Sequence, residues 1–148
     1  MIVESKDNID FERMFALSLD ALNNSYSPYS KFKVSAVLKT KDGRFFIGVN
    51  VENASFGLTN CAERSALYSA YSQGVKKENI EKMLILSSSA NIISPCGACR
   101  QVMAELMDRD SIVIMCDLNK NFKSVKVKEL LPLEFTSKDL LWVINLDL

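Results

Sequence analysis

Residues 83–117 read MLILSSSANIISPCGACRQVMAELMDRDSIVIMCD, and their pattern is the clearest indication of the fold class. Residues 83–86 are a short apolar run followed by three serines, which predicts a buried strand. Residues 96–107 have a helical pattern and follow Pro95, a position where proline is tolerated. Residues 112–117 are a second β-rich run. A strand, a helix and a strand in this order predict a crossover connection within one sheet.

The segments on the N-terminal side of this stretch continue the alternation. Residues 9–23 carry apolar side chains at helical spacing, and we expect Asp10 to be the N-cap. Residues 33–40 and 44–50 are two β-rich runs joined by Lys-Asp-Gly, which predicts a hairpin. Residues 61–73 are rich in Ala and Leu and end at Gly74, which indicates a second helix.

The segments that follow residue 117 complete one α/β unit. Residues 122–127 predict a fifth strand, and residues 128–131 predict a short helix that Pro132 stops. The order helix, hairpin, helix, strand, helix, strand, strand favours an α/β sandwich around one mixed sheet. The length of 148 residues predicts a single domain over 1–148. Residues 140–148 are mostly apolar, so we expect them to pack on the core or on another subunit.

Composition excludes several classes of function. The 18 basic and 18 acidic residues cancel, which argues against a nucleic-acid surface and against an anionic membrane. The chain has no histidine, so Ser-His-Asp triads and His-ligated metal sites are excluded. No apolar run approaches the ~20 residues needed to span a bilayer. The first residues have no signal-peptide pattern, so we expect a cytoplasmic protein with reduced thiols.

The four cysteines are the only soft metal ligands that the chain offers. Cys96 and Cys99 are three residues apart at the start of a predicted helix, and Cys61 opens another. Helix N-termini favour thiolates, the form that binds zinc. Cys116 lies at the end of a buried-looking strand, and we interpret it as a small core residue. Three ligands leave a fourth position open, as in catalytic rather than structural zinc sites.

Two residues beside Cys61 suggest how such a site works. Glu63 is two positions further along the helix, which makes it a poor fourth ligand but places a carboxylate near the open position for proton transfer. Arg64 follows, and a hydrogen bond from its guanidinium to a thiolate would offset the negative charge of three sulfurs. A Cys-x-x-Cys pair alone is also typical of redox pairs and of half a structural zinc site.

Five motifs in this order resemble the zinc-dependent cytidine deaminases, specifically the compact homotetrameric class with three Cys ligands. They are SPYSKF at 27–32, GVNVENA at 48–54, NCAER at 60–64, SPCGACRQ at 94–101 and LLPLEF at 130–135. The resemblance implies a three-layer sandwich with a mixed five-stranded sheet flanked by helices. It also implies hydrolytic deamination of cytidine and deoxycytidine to uridine and deoxyuridine plus ammonia, a reaction of pyrimidine salvage.

The resemblance implies a role for each motif residue of the zinc site. Cys61, Cys96 and Cys99 would bind one zinc ion per chain, and Glu63 would be the catalytic proton shuttle.

The resemblance also implies which residues contact a free pyrimidine nucleoside. Phe32 matches the aromatic residue that lines the base pocket, and Asn50 and Glu52 match the pair that binds the ribose hydroxyls. The backbone N–H of Ala62 would contact the pyrimidine. Phe135 matches a residue that reaches a neighbouring subunit's site, so the implied homotetramer would complete each site across an interface.

Two alternatives stay open at this point. Blasticidin S deaminase shares the cysteine pattern, although the NVENA segment favours the plain nucleoside. A non-catalytic structural-zinc module would need a fourth protein ligand, for which Cys116 is the only spare thiol. One departure from the family pattern is Ser35, which stands where glycine is usual and which we expect to tighten packing near the pocket.

Overall fold

A five-stranded mixed sheet is the centre of the fold in the computed structural model, which describes residues 9–140. The sheet has the strand order β2-β1-β3-β4-β5. Only the β3–β4 pair is parallel among these strands; the other pairs are antiparallel. The strands are β1 (Val34–Thr40), β2 (Phe45–Val49), β3 (Ile80–Ser87), β4 (Ile112–Cys116) and β5 (Phe122–Lys126).

Helices cover both faces of this sheet, as the sequence predicts. Helix α1 (Ile9–Leu22) packs on one face, against β1 and β3. Helices α2 (Ala62–Ser72) and α3 (Gly97–Leu106) pack on the other. The short α4 (Val127–Leu130) follows β5 directly. The predicted three-layer α/β sandwich with a mixed sheet of five strands is therefore confirmed.

Successive side chains of the central strands point to opposite faces of the sheet and so form two separate apolar clusters. On β3, Met83 and Ile85 face α2 and α3, whereas Leu84 and Leu86 face α1. Neighbouring residues of a strand point to opposite faces, so a strand between two helical layers needs apolar side chains at nearly every position. This requirement explains the unbroken apolar run that identified the strand in the sequence.

Gly48 allows α2 to lie unusually close to β2. A Cβ atom at this position would lie 2.3 Å from the backbone nitrogen of Ala66 and 2.4 Å from the carbonyl oxygen of Ala62. Both contacts are with the helix backbone, which no side-chain rotation can relieve. The close approach brings the first turn of α2, and with it Cys61, to the edge of the sheet.

Two details differ from the sequence prediction. Strand β3 begins at Ile80 rather than at residue 83, because Ile80 and Lys82 pair with β1 although the charged lysine interrupts the apolar pattern. The prediction that Asp10 is an N-cap is wrong. Asp10 lies inside α1, and its carboxylate is 3.1 Å from the Lys39 ammonium on β1.

The C-terminal prediction concerns mainly residues 141–148, which lie outside the described residues. Within residues 9–140, the helices are too short or too polar to cross a lipid bilayer.

Candidate zinc site and substrate cavity

The N-termini of α2 and α3 lie close together and bring three cysteine sulfurs into one group. Cys61 is the N-cap of α2 and Cys96 is the N-cap of α3, each with an extended backbone conformation. Cys99 lies in the first turn of α3 and is buried. The unsatisfied N–H groups at both helix ends create a positive potential at these sulfurs, as the sequence predicts.

The three sulfurs have a spacing that suits a tetrahedral zinc ion. Their Sγ atoms all lie within 4.8 Å of one another, and the Cys61 and Cys96 sulfurs are 3.8 Å apart. Zinc–sulfur bonds of about 2.3 Å at tetrahedral angles separate two sulfurs by about 3.8 Å. Among the described residues, these three form the only group of potential ligands that meets the geometric criterion for a metal site. The donor set therefore fits zinc.

The sulfurs interact strongly with one another. The pKa of the Cys61 thiol falls to about 5, because the Cys99 thiol donates a hydrogen bond to it and the Arg64 guanidinium donates another. The same hydrogen bond to Cys61 raises the pKa of Cys99. The group therefore carries a thiolate near neutral pH, which is the state that binds a soft cation.

Arg64 makes the contact that the sequence predicts. Its Nη2 atom lies 3.3 Å from the Cys61 Sγ atom. Its Nε atom is buried and has no hydrogen-bond partner within residues 9–140. The guanidinium is thus directed at the sulfur group rather than at solvent, and it offsets part of the charge that three thiolates would carry.

Glu63 is a buried carboxyl group beside the sulfurs. Its residue is only 4% exposed, and burial raises its pKa. It lines the same cavity as Cys61 and Cys96, and its carboxyl group is within hydrogen-bonding reach of the Cys99 thiol. A carboxyl group with a raised pKa in a secluded position is suited to both accepting and returning a proton.

A cavity of about 190 Å³ opens in front of the sulfurs. The residues that line it are Phe32, Val34, Asn50, Thr59, Asn60, Cys61, Ala62, Glu63, Ile93, Ser94 and Cys96. Three of the expected substrate contacts, Phe32, Asn50 and Ala62, therefore lie at this cavity.

Asn50 is held by three hydrogen bonds within the chain. Its Oδ1 atom accepts from the backbone N–H of Val34 at 2.9 Å and from the Ser25 hydroxyl. Its Nδ2 atom donates to the carbonyl oxygen of Phe32 at 2.8 Å. These backbone partners determine which amide atom is oxygen and leave one N–H of Asn50 available to a ligand.

Glu52 lies in an adjoining hollow rather than in the cavity itself. That hollow is lined by Tyr29, Ser30, Glu52, Asn53, Phe56 and Thr59, and Thr59 lines both spaces. The Glu52 carboxylate accepts hydrogen bonds from the backbone N–H groups of Tyr29 and Ser30 at 3.0 and 3.1 Å. The Ser30 hydroxyl donates a third.

Phe135 and Cys116 lie away from the cavity. Phe135 is 57% exposed and lines a different cavity, with Arg109 and Lys138. Cys116 is fully buried on the α1 face, where burial raises its pKa to about 12. Its interpretation as a core residue agrees with this position, which lies across the sheet from the three sulfurs.

Two further findings concern serines. Ser25 and Ser30, which orient Asn50 and Glu52, were not identified from the sequence, although both lie in or beside the SPYSKF motif. The expectation that Ser35 tightens packing near the pocket is wrong. Ser35 points to the other face, where its hydroxyl donates to the Ser18 carbonyl oxygen of α1 at 2.7 Å.

Comparison with known families agrees with this geometry. Residues 9–116 match the family model described as the cytidine and deoxycytidylate deaminase zinc-binding region. This match covers more than half of the chain and includes Cys61, Cys96 and Cys99.

Individual relatives point the same way. The cytidine deaminase of Halalkalibacterium halodurans is 42% identical over 132 residues, which cover 89% of this chain and 98% of that protein. The cytidine deaminase of Sporosarcina psychrophila is 39% identical over 132 residues, 89% of this chain and 96% of that protein. A crystal structure of cytidine deaminase from Burkholderia pseudomallei superposes with a TM-score of 0.81 at 40% identity, covering 84% of this chain and 98% of that one.

Proposed function

The chain belongs to the zinc-dependent cytidine deaminase family, and from this premise we propose how its residues bind and deaminate a nucleoside. The protein is a hydrolase that converts cytidine to uridine and ammonia with one zinc ion per chain. The observation that carries this function is the meeting of three sulfurs and one buried carboxyl group at a single cavity.

Cys61, Cys96 and Cys99 would hold the zinc. When it is bound by three thiolates with a fourth position open, zinc lowers the pKa of water and so makes hydroxide available near neutral pH. Arg64 donates to the Cys61 sulfur and withdraws negative charge from the thiolates.

Glu63 is the proton shuttle in this proposal. Its carboxyl group lies at the cavity wall beside the sulfurs, and burial keeps its pKa above the usual range. It first takes a proton from water and gives it to the ring nitrogen next to the amine-bearing carbon. The hydroxide that remains forms a bond to the amine-bearing carbon. Glu63 then takes the proton of this new hydroxyl group and gives it to the amino group, whose bond to the carbon breaks and which leaves as ammonia.

The remaining cavity residues orient the nucleoside. Phe32 offers an aromatic face to the flat base. The N–H of Ala62 is among the first of α2, where no intrahelical acceptor exists, so it can donate to an exocyclic oxygen of the pyrimidine. Asn50 has one spare N–H donor and Glu52 retains acceptor capacity, so together they suit a sugar hydroxyl, which both accepts and donates.

We propose that the substrate is a free nucleoside, either cytidine or deoxycytidine, rather than a nucleotide. The residues that line the cavity and its adjoining hollow include Glu52 and Glu63 but neither lysine nor arginine. A phosphate group near Glu52 would be repelled by its carboxylate.

The assay is the loss of ultraviolet absorbance of cytidine, with and without a strong chelator. We expect turnover of cytidine and deoxycytidine, its loss after chelation, and its return when zinc is added. Blasticidin S, cytidine monophosphate and deoxycytidine monophosphate test the alternatives in parallel. Faster turnover of any of these than of cytidine would contradict the substrate assignment.

We propose that the protein is a homotetramer in which Phe135 completes a neighbouring subunit's site. The distance of Phe135 from its own cavity and the large exposed fractions of Leu133 (96%) and Phe56 (77%) support an interface. Sedimentation would measure the assembly.

A mixing experiment tests the role of Phe135. Phe135→Ala and Glu63→Gln subunits are each expected to be poorly active alone. If Phe135 acts on its neighbour, hybrids of the two regain activity, since some sites then combine an intact Glu63 with an intact Phe135. No gain on mixing would contradict the assignment.

We further propose a cytoplasmic location and a place in pyrimidine salvage. The described cysteines are all unpaired, and the site works only with its thiols reduced.

A further inference from the structure

We propose that Ser30 is a positioning residue for substrate binding, which holds the Glu52 carboxylate ready to accept a hydrogen bond from a sugar hydroxyl. The proposal rests on the function given above, in which Glu52 and Phe32 contact the nucleoside. It assigns Ser30 no contact with the reacting atoms.

The direction of the Ser30 hydroxyl is determined by its two partners. The backbone N–H of Phe32 can only donate, and it donates to the Ser30 Oγ atom at 3.0 Å. The Glu52 carboxylate accepts from the same hydroxyl. Because the acceptor side of the hydroxyl is occupied by Phe32, its single proton points to Glu52.

Both carboxylate oxygens of Glu52 accept hydrogen bonds from one short turn. Oε1 accepts from the N–H groups of Tyr29 and Ser30, and Oε2 accepts from the Ser30 hydroxyl. Lys31 next to this turn has a φ of 59°, in the left-handed region that non-glycine residues rarely adopt. This conformation of Lys31 turns the chain back, so that the backbone N–H of Phe32 reaches the hydroxyl of Ser30.

This arrangement fixes both the charge and the rotation of Glu52. The Ser30 hydroxyl makes the largest contribution to a lowered pKa of Glu52, so the carboxylate stays ionised. Three of its about four acceptor positions are filled by the turn, which leaves one position on Oε2 for a ligand. Without the hydroxyl, Oε1 keeps both backbone donors, but Oε2 loses the contact that sets its direction.

The same turn is tied to Asn50. The carbonyl oxygen of Phe32 accepts from Asn50, and the N–H of Phe32 donates to Ser30. The two proposed sugar contacts are thus joined through the backbone of one residue that also lines the base cavity. Ser30 is the only side chain that links Phe32 to Glu52 within the described hydrogen bonds.

The test compares Ser30→Ala, Ser30→Thr and Ser30→Cys with a matched control, Ser88→Ala. Ser88 Oγ accepts from the backbone N–H of Lys33 at 3.0 Å, so the control loses a similar bond one residue further along without touching Glu52. Each variant is assayed as the zinc-loaded enzyme with cytidine and with 2′,3′-dideoxycytidine, which lacks the sugar-ring hydroxyls.

Ser30→Ala should raise KM for cytidine about tenfold while kcat stays within about twofold, the size expected for one hydrogen bond to a charged group. With dideoxycytidine the change in kcat/KM should be within about twofold. Ser30→Thr keeps the hydroxyl and should restore KM to within about threefold, and Ser30→Cys, a weak donor, should be intermediate. Ser88→Ala should match the unaltered enzyme.

Three outcomes would overturn the proposal. One is an unchanged KM for cytidine in Ser30→Ala, or in Ser30→Cys if the alanine variant does not fold. Another is an equal loss on cytidine and dideoxycytidine, which would indicate a general structural role. If the unaltered enzyme does not deaminate cytidine, the proposed function fails, and this inference fails with it.

Discussion

Each face of the sheet buries one cysteine, and the two cysteines have different surroundings. Cys99 lies under α3 on the face that also carries α2, next to two other sulfurs and near Arg64. Cys116 lies on the α1 face among apolar side chains that include Phe11 and Leu86. Both residues are fully buried.

The difference shows that burial alone does not make a metal ligand. Burial raises the pKa of Cys116 and leaves an inert thiol. On the other face, hydrogen bonds from the Cys99 thiol and the Arg64 guanidinium lower the pKa of Cys61, so the sulfur group holds negative charge that a cation can neutralise. The α2/α3 face therefore carries the chemistry, while the α1 face stabilises the fold.

Replacing Cys99 and Cys116 by alanine, one at a time, should produce the largest difference between the two faces in zinc content and activity. Cys99→Ala should lose zinc and reduce deamination to background, because a buried site with two sulfurs binds the ion poorly. Cys116→Ala should keep one zinc per chain and nearly full activity, at about 1–2 kcal/mol of stability. Zinc content and denaturant unfolding measure both. Loss of zinc from the Cys116 variant would favour a structural-zinc module.

Glu63→Gln tests the α2/α3 face without removing a ligand. The amide has nearly the same shape but cannot shuttle a proton, so kcat should fall by about 10²–10⁴ while zinc content is unchanged. Steady-state kinetics beside metal analysis give the two readouts. Retained turnover in a zinc-loaded variant would disprove the shuttle assignment.

Arg64→Gln should have a smaller effect on the same face. Removing the hydrogen bond to the Cys61 sulfur should cost about 10–100-fold in zinc affinity or activity, as for other groups that contact metal ligands. Arg64→Lys keeps the charge and serves as the comparison. If the glutamine variant binds zinc and turns over cytidine normally, Arg64 has no part in tuning the site.

Ser35→Ala probes the α1 face and should have the smallest effect. The Ser35 hydroxyl is fully buried and bonded to the Ser18 carbonyl, so its loss should cost about 1 kcal/mol of unfolding free energy with activity unchanged. Ser124→Ala is the matched control. Ser124 on β5 pairs with Ile114 on β4, and Ile114 belongs to the apolar cluster that packs against α1. The Ser124 hydroxyl is buried and has no hydrogen-bond partner among residues 9–140. Its removal should be neutral or stabilising, and an equal loss in both variants would contradict the account.

Local patterns were sufficient for most of the architecture. The apolar runs at 83–86 and 112–117 and the helical spacing after Cys61 and Cys96 each reflect one periodicity that a short window reveals. The errors came where a distant partner decided the outcome. Asp10 was expected to cap its helix but instead contacts lysine on a neighbouring strand, and the start of β3 depends on pairing with β1.

Residue types and their spacing were sufficient to identify the chemistry that is possible here. With no histidine and with three cysteines at helix starts, the residue types favoured zinc held by thiolates. A glutamate two residues after Cys61 was likewise visible as a proton carrier.

The way in which these residues face one another became visible with the folded arrangement of the helices, strands and loops. Alternation along β1 sends Ser35 to the α1 face, and the absence of a Cβ at Gly48 lets α2 approach the sheet. The turn at Tyr29 and Ser30 donates hydrogen bonds to Glu52, which lies 23 and 22 residues after them in the sequence. Such contacts depend on the packing of layers and on loop conformation, and neither leaves a periodic signal in the sequence.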